Sequence, residues 1–223
     1  MLMPKRKTSI VPGEFYHVYN KSVGSEKIFL SEFNIKQALK RVHYYKFKRN
    51  LKYVDYVKIK ENRSDASLSN KQQDPLVIIY AYSIMPNHYH FVVKELKKEG
   101  LRSFISNFQM SFAWFYNSRN KRSGSVFQGR FKAKHIQSIE QLLHLIRYVH
   151  LNPVTAYLCD FKDLSTSIRT SYYEYVTDNH KNSIVDTKFV MKHFNSIKDF
   201  KVFHKNQVEY QRSLASIKKL LVD

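Results

Sequence analysis

The chain holds one cysteine in 223 residues, Cys159. That excludes an intramolecular disulfide and a cysteine-rich zinc site, and it fits a reducing, cytoplasmic setting. No apolar run approaches the roughly 18–20 residues that a membrane-spanning helix needs. The first residues, Met1 to Lys7, are basic but lack the apolar centre of a secretory signal. There is no internal repeat and no Gly-x-x-x-x-Gly-Lys phosphate loop. Acidic residues are also scarce, with 18 Asp and Glu against 38 Lys and Arg for a net charge of +20. An excess of this size points to a polyanionic partner, nucleic acid before membrane, and to a nucleoid-associated location. What the chain does have is 43% apolar and 15% aromatic content, enough for a packed core.

Periodicity divides the chain. Residues 14–22 alternate Phe15, His17 and Tyr19 against Tyr16, Val18 and Asn20, which predicts strand one. Ser31 caps a first helix over 32–49, whose stripe is Ile35, Ala38, Leu39 and Val42. The polar run 61–75 reads as an inserted loop. Leu76–Met85 and His88–Glu95 predict two strands joined as a hairpin by Pro86-Asn87. Helical spacing returns over Leu101–Asn117, a basic loop follows at Arg119–Ser125, and Val126–Gln137 predicts strand four. Ser138 and Gln141 form a capping box for a third helix, ended by Pro153 at Leu151 or Asn152. The order β-α-β-β-α-β defines an α+β, ferredoxin-like antiparallel sheet with helices on one face. Residues 1–160 read as this domain. Residues 161–223 read as a helical extension with helices at Arg169–Val176, Thr187–Phe194 and Val208–Leu221.

Two short patterns bear on chemistry. In Met85-Pro86-Asn87-His88-Tyr89-His90, an extended backbone puts His88 and His90 on one face, a ready pair of ligands for a divalent cation or simply two surface histidines. On the third helix Tyr148 and Asn152 lie one turn apart, projecting together from the rim of the domain. A half-buried tyrosine and an asparagine that ends a helix before proline would account for them equally well.

Four blocks carry a resemblance: Phe15-Tyr16-His17-Val18-Tyr19-Asn20-Lys21, the histidine block, Val126-Phe127-Gln128-Gly129-Arg130-Phe131-Lys132, and Tyr148-Val149-His150-Leu151-Asn152-Pro153-Val154. In this order over roughly residues 12–160, the chain resembles the REP-associated tyrosine transposases, a branch of the single-tyrosine HUH transposases. The resemblance implies a nuclease and strand transferase acting on single-stranded DNA, often beside a hairpin. It implies Tyr148 as nucleophile and His88, His90 and Asn152 as metal ligands. One departure is Tyr89, where the family pattern expects a bulky hydrophobe.

A tyrosine that cleaves a phosphodiester must lose a proton of pKa near 10, and a divalent cation polarises the phosphate. The mixed nitrogen and oxygen donors suit Mg²⁺ or Mn²⁺. Reversal of the phosphotyrosine by another 3′-hydroxyl would rejoin strands without ATP. Lys121, Arg122, Arg130, Lys132 and Lys134 are the expected phosphate contacts, Arg130 foremost because the Gln-Gly-Arg-Phe block surrounds it. Rings among Phe15, Tyr16 and Tyr19 are candidates to stack on unpaired bases. A monomer is favoured over a weak homodimer. Two other readings stay open: a non-catalytic single-strand-binding sheet, and a phosphodiesterase that activates water instead of Tyr148.

Overall fold

The computed structural model describes residues 9–62, 74–177 and 183–212. Four strands, β1 (Phe15–Lys21), β2 (Val77–Met85), β3 (His88–Glu95) and β4 (Lys132–Ile136), form one antiparallel sheet in the order β2-β3-β1-β4. The β2–β3 hairpin closes tightly, Met85 pairing with His88 around the expected Pro86-Asn87 turn. The order and directions are those of a split β-α-β unit repeated once.

Alternation along β3 assigns the two faces. Tyr89 and Phe91 point into an aromatic core, their rings 5.4 and 5.9 Å from Phe108, with Phe104 5.9 Å from Phe91. Phe104 and Phe108 belong to α3 (Gly100–Arg119). Beside it lies α1 (Glu32–Tyr45), tied on by Arg41, whose Nε donates to the Ser111 carbonyl and whose guanidinium sits 4.7 Å over Phe115. Each fully buried ring here contributes on the order of 2–3 kcal/mol of apolar transfer energy.

The α+β class and the C-terminal helices are as expected, but the helices do not all lie on one face. α4 (Ile139–Thr155) packs on the other side of the sheet, where the Tyr148 ring meets that of His90. The stripe of α3 already covers the first face, so the apolar side of α4, Leu142, Ile146 and Val149, has only the second face to bury against. α4 also runs through Pro153 to Thr155 instead of ending before it. A proline in the last turn removes only the bond to the Val149 carbonyl, a loss that burial of Leu151, Pro153 and Val154 offsets.

Other boundaries move for local reasons. α1 stops at Tyr45, and a further helix, α2 (Tyr53–Asn62), forms where no element was expected and reaches the first two residues of the expected loop, most of which lies outside the described residues. β4 begins only at Lys132, because the chain turns at Gly129 (φ +45°) and Phe127 makes just an isolated bridge to Ser22. The extension contains α5 (Tyr172–Val176), α6 (Thr187–Met191) and α7 (Ile197–Lys205). α7 went unanticipated, although Ser196 caps it by accepting from the Asp199 N–H. Most of the helix expected at Val208–Leu221 lies outside the described residues.

The extension lies along the outer edge of β2, where Ile84 N–H donates to Arg169 O and Ser171 N–H to Tyr82 O. A buried relay fastens it to α4. His204 Nδ1 donates to the Phe200 carbonyl at 2.8 Å, leaving Nε2 to accept from His150 Nδ1 at 3.0 Å. His150 Nε2 then accepts from Ser171 Oγ at 2.9 Å, and that oxygen accepts the Tyr82 N–H. Both rings are fully buried and neutral: desolvation pushes His204 down to about 3, and desolvation together with His204 holds His150 well below 6.5. The unfolded chain therefore takes up protons below pH 6.5 that the folded chain refuses. Stability is full above that pH and falls below it, by on the order of 1 kcal/mol per histidine per pH unit. Urea unfolding midpoints should drop steeply between pH 7 and pH 5; a flat profile would show that the relay is not held neutral.

Candidate active site

The face of the sheet under α4 collects part of the residues that the sequence singled out: His88, His90, Tyr19, Lys132 and Lys134 from the strands and Tyr148 from α4. In register, Tyr19 lies opposite His90 on one side and Lys132 on the other, and Lys21 lies opposite His88. Directly paired residues share a face, so His17, Tyr19, His88, His90, Lys132 and Lys134 all point toward α4. The His88 and His90 rings stand 5.1 Å apart and nearly perpendicular. Tyr148 meets His90 edge-on, with ring centroids 6.2 Å apart, and remains 38% exposed. One turn along, Asn152 is only 6% exposed, and its side-chain nitrogen has no partner.

Each histidine of the pair is held through Nδ1. Asn87 Oδ1, an acceptor, lies 2.7 Å from His88 Nδ1, so that nitrogen carries the proton and Nε2 keeps its lone pair. His90 Nδ1 lies 2.9 Å from His17 Nε2, and the two rings stack at 5.1 Å. Burial is the main reason that these rings are neutral. It pushes His88 down to about 4 with help from Lys21, and His17 to about 4 with help from Lys134. His90 is driven well below 6.5 by desolvation and by its two histidine neighbours. Tyr148 moves the other way, its phenol raised above 10 by burial of its sheet-facing side and by Tyr19, so it is protonated at neutral pH.

Neutral imidazoles with Nδ1 occupied are what a metal-binding pair requires, because Nε2 is then the free donor and the ring orientation is fixed. Among the described residues, no group of three or more His, Cys, Asp or Glu is placed to hold an ion. The buried amide of Asn152, one turn along α4 from Tyr148, is an oxygen donor of another residue type.

The expected DNA contacts divide. Lys132 sits 6.0 Å from the Tyr19 ring at the rim of this face, and Lys134 lies opposite His17. Tyr19 is half-buried and stacks 5.8 Å from His90, so it lines the site itself. Arg130 and Lys121 are exposed beyond the sheet. Arg122 pairs with Glu26 at 2.9 Å. Tyr16 is a correction: it is 1% exposed on the opposite face, its hydroxyl accepting the Val11 N–H, and it cannot reach a base. His17 is the residue to which sequence reasoning gave no role. Its alternation with Tyr19 was visible, but its contact with His90 exists only because β1 pairs with β3.

No protein-family model and no curated protein matches the chain. Among solved structures, the fold is similar to that of a REP-associated tyrosine transposase bound to a REP hairpin. The match has a TM-score of 0.52 and 15% identity, and it covers 78% of this chain and 86% of that one. A candidate transposase from Deinococcus radiodurans R1 matches at a TM-score of 0.35 and 12% identity, over 66% of this chain and 95% of that one. The first likeness is one of fold. No helix among the described residues is long and apolar enough to cross a membrane.

An amide whose nitrogen bonds nothing contributes little to folding. Asn152→Ala should shift the unfolding free energy by less than about 1 kcal/mol in chelator-treated protein, measured by urea denaturation. A loss of several kcal/mol would make Asn152 a structural residue.

Proposed function

We propose that the protein is a metal-dependent single-stranded DNA endonuclease and strand transferase, a transposase of the REP-associated tyrosine kind, acting at a site flanked by a hairpin. The observation that carries this reading is the edge contact of Tyr148 with His90, on the face that also holds His88. The likeness to a structure bound to a REP hairpin supports the substrate class. His88 Nε2, His90 Nε2 and the Asn152 amide oxygen are the donors that fit Mg²⁺ or Mn²⁺. When bound, such an ion would draw charge from the non-bridging oxygens of the scissile phosphate.

The chain's own residues account for the remaining requirements. Tyr148 is accessible enough for a phosphate to approach, yet its phenol is protonated, so attack demands loss of that proton. The phenolate oxygen bonds to phosphorus as the P–O3′ bond breaks, giving a 5′-phosphotyrosine and a 3′-oxyanion that takes up a proton to become the 3′-hydroxyl. Attack by a second 3′-hydroxyl reverses the step and joins strands. Tyr19 borders the phenol and supplies a ring face for an unpaired base, and Lys132, 6.0 Å from that ring, supplies a charge for phosphate. Arg130, Lys121, Lys134 and Arg122 extend the basic rim.

Two experiments test this. Labelled single-stranded DNA with a hairpin, incubated with the protein and Mn²⁺ and then denatured, should leave label on the wild type and none on Tyr148→Phe. Cleavage without adduct would favour activated water, and tight binding with neither would favour a binding module. His88→Ala should abolish cleavage while sparing DNA binding. His17→Ala should weaken Mn²⁺ binding roughly 10–100-fold by freeing the His90 ring. His17→Gln, which can still bond His90 Nδ1, should restore most of it; equal damage from both would assign His17 to packing alone.

A further inference from the structure

Away from α4, a groove of about 890 Å³ opens between α1, α2 and the extension, with Ile168, Tyr173 and Ile184 on its far wall. Its cationic lining is Lys36, Lys40, Arg49 and Lys60, against Glu61 as the one acidic lining residue among those described. Among the described residues, Lys36 alone of the four pairs with a carboxylate, in an exposed helical contact with Glu32. Between the charges lie Tyr44, Tyr53 and Tyr56, a cluster with Tyr44 and Tyr56 4.7 Å apart and Tyr44 and Tyr53 5.4 Å apart. Arg49 lies 4.6 Å over the Tyr44 ring. Burial, Lys46 and Arg49 keep His43 neutral, pushed down to about 4, so the charge of the groove is carried by its lysines and Arg49.

We propose that this groove is a second nucleic-acid site, separate from the candidate active site, that grips single-stranded DNA. Cations along the walls suit backbone phosphates, and the half-buried rings of Tyr53 and Tyr56, backed by buried Tyr44, suit unstacked bases. A duplex keeps its bases inside and cannot bring them to recessed rings, so the groove favours the single strand. Its volume is in the range of sites that enclose small ligands, so it would take a short stretch of strand and not a whole hairpin.

The test compares two triple variants of the full chain, using fluorescence anisotropy with labelled oligothymidylate and with a blunt duplex of equal length. Lys36→Gln, Lys40→Gln and Lys60→Gln together should weaken oligothymidylate binding about tenfold and reduce the salt slope by about 2, at roughly 0.7 per phosphate contact. Lys188→Gln, Lys192→Gln and Lys198→Gln, equally exposed on the extension, serve as the control and should weaken it less than threefold. Tyr56→Leu should lower affinity without changing the slope. Equal losses in both triples would overturn the proposal in favour of a merely solvated basic surface, and an equal loss for the duplex would overturn single-strand selection. The groove triple should still form the Tyr148 adduct at saturating hairpin substrate, so failure of the catalytic reading and failure of this one are read separately.

Discussion

A one-residue slip of β1 against β3 would turn His17 and Tyr19 toward α3 and press two polar side chains among Phe104 and Phe108. The same slip would expose Tyr16 and Val18, now 1% and 0% accessible. Strand register is therefore fixed by the core, and the site inherits it. Tyr19 lies opposite His90 because Val18 lies opposite Phe91 and Tyr16 opposite Val93. The contact that orients His90 is thus a consequence of how the aromatic core packs on the other side of the sheet.

The same logic explains why α4 is held so firmly. It carries Tyr148 and Asn152 on one side and His150 between them on another, and His150 is locked to the sheet through Ser171 and to α7 through His204. Leu164, Tyr172, Val190 and Phe200 from the extension share one apolar cluster with Leu142 and Val149 of α4. Residues beyond 160 form the back of the helix that presents the site, and the neutral histidine relay sets its depth and rotation relative to β2.

Much of this was legible in the sequence, for a physical reason. Strands with one more deeply buried face write period two, as Phe15 to Lys21 does, and a strand covered on both faces writes an apolar run, as Tyr89 to Val93 does in part. Capping residues mark helix starts, as Ser31 and Ser138 show by accepting from Asn34 and Gln141. What escaped depends on contacts between distant segments. The Tyr53, Tyr56 and Val57 spacing of α2 has no capping residue ahead of it and borrows its burial from Tyr44. Pro153 reads as a stop, yet tertiary packing carries the helix past it. The position of α4 on the second face follows only once α3 is known to fill the first. The part played by His17 needs the β1–β3 pairing, which no local pattern in the seven residues of β1 specifies.

Charge and chemistry are kept apart in this molecule. Lys21, Lys132 and Lys134 place positive charge at the rim of the site, while the groups at its centre, His17, His88, His90 and Tyr148, are all uncharged at neutral pH. The rim acts over a screening length of roughly 8 Å at physiological salt, so it attracts and aligns a polyanion without needing close fit. The centre has lone pairs and a protonated phenol, which do nothing at a distance. The lysines also help to hold the imidazoles neutral, since Lys21 and Lys134 lower the pKa of His88 and His17. Positive charge at the rim thus has two effects: it draws phosphate in, and it preserves the unprotonated donors that the proposed chemistry needs. Replacing those lysines by neutral residues would weaken capture and bring the histidines closer to protonation at the same time.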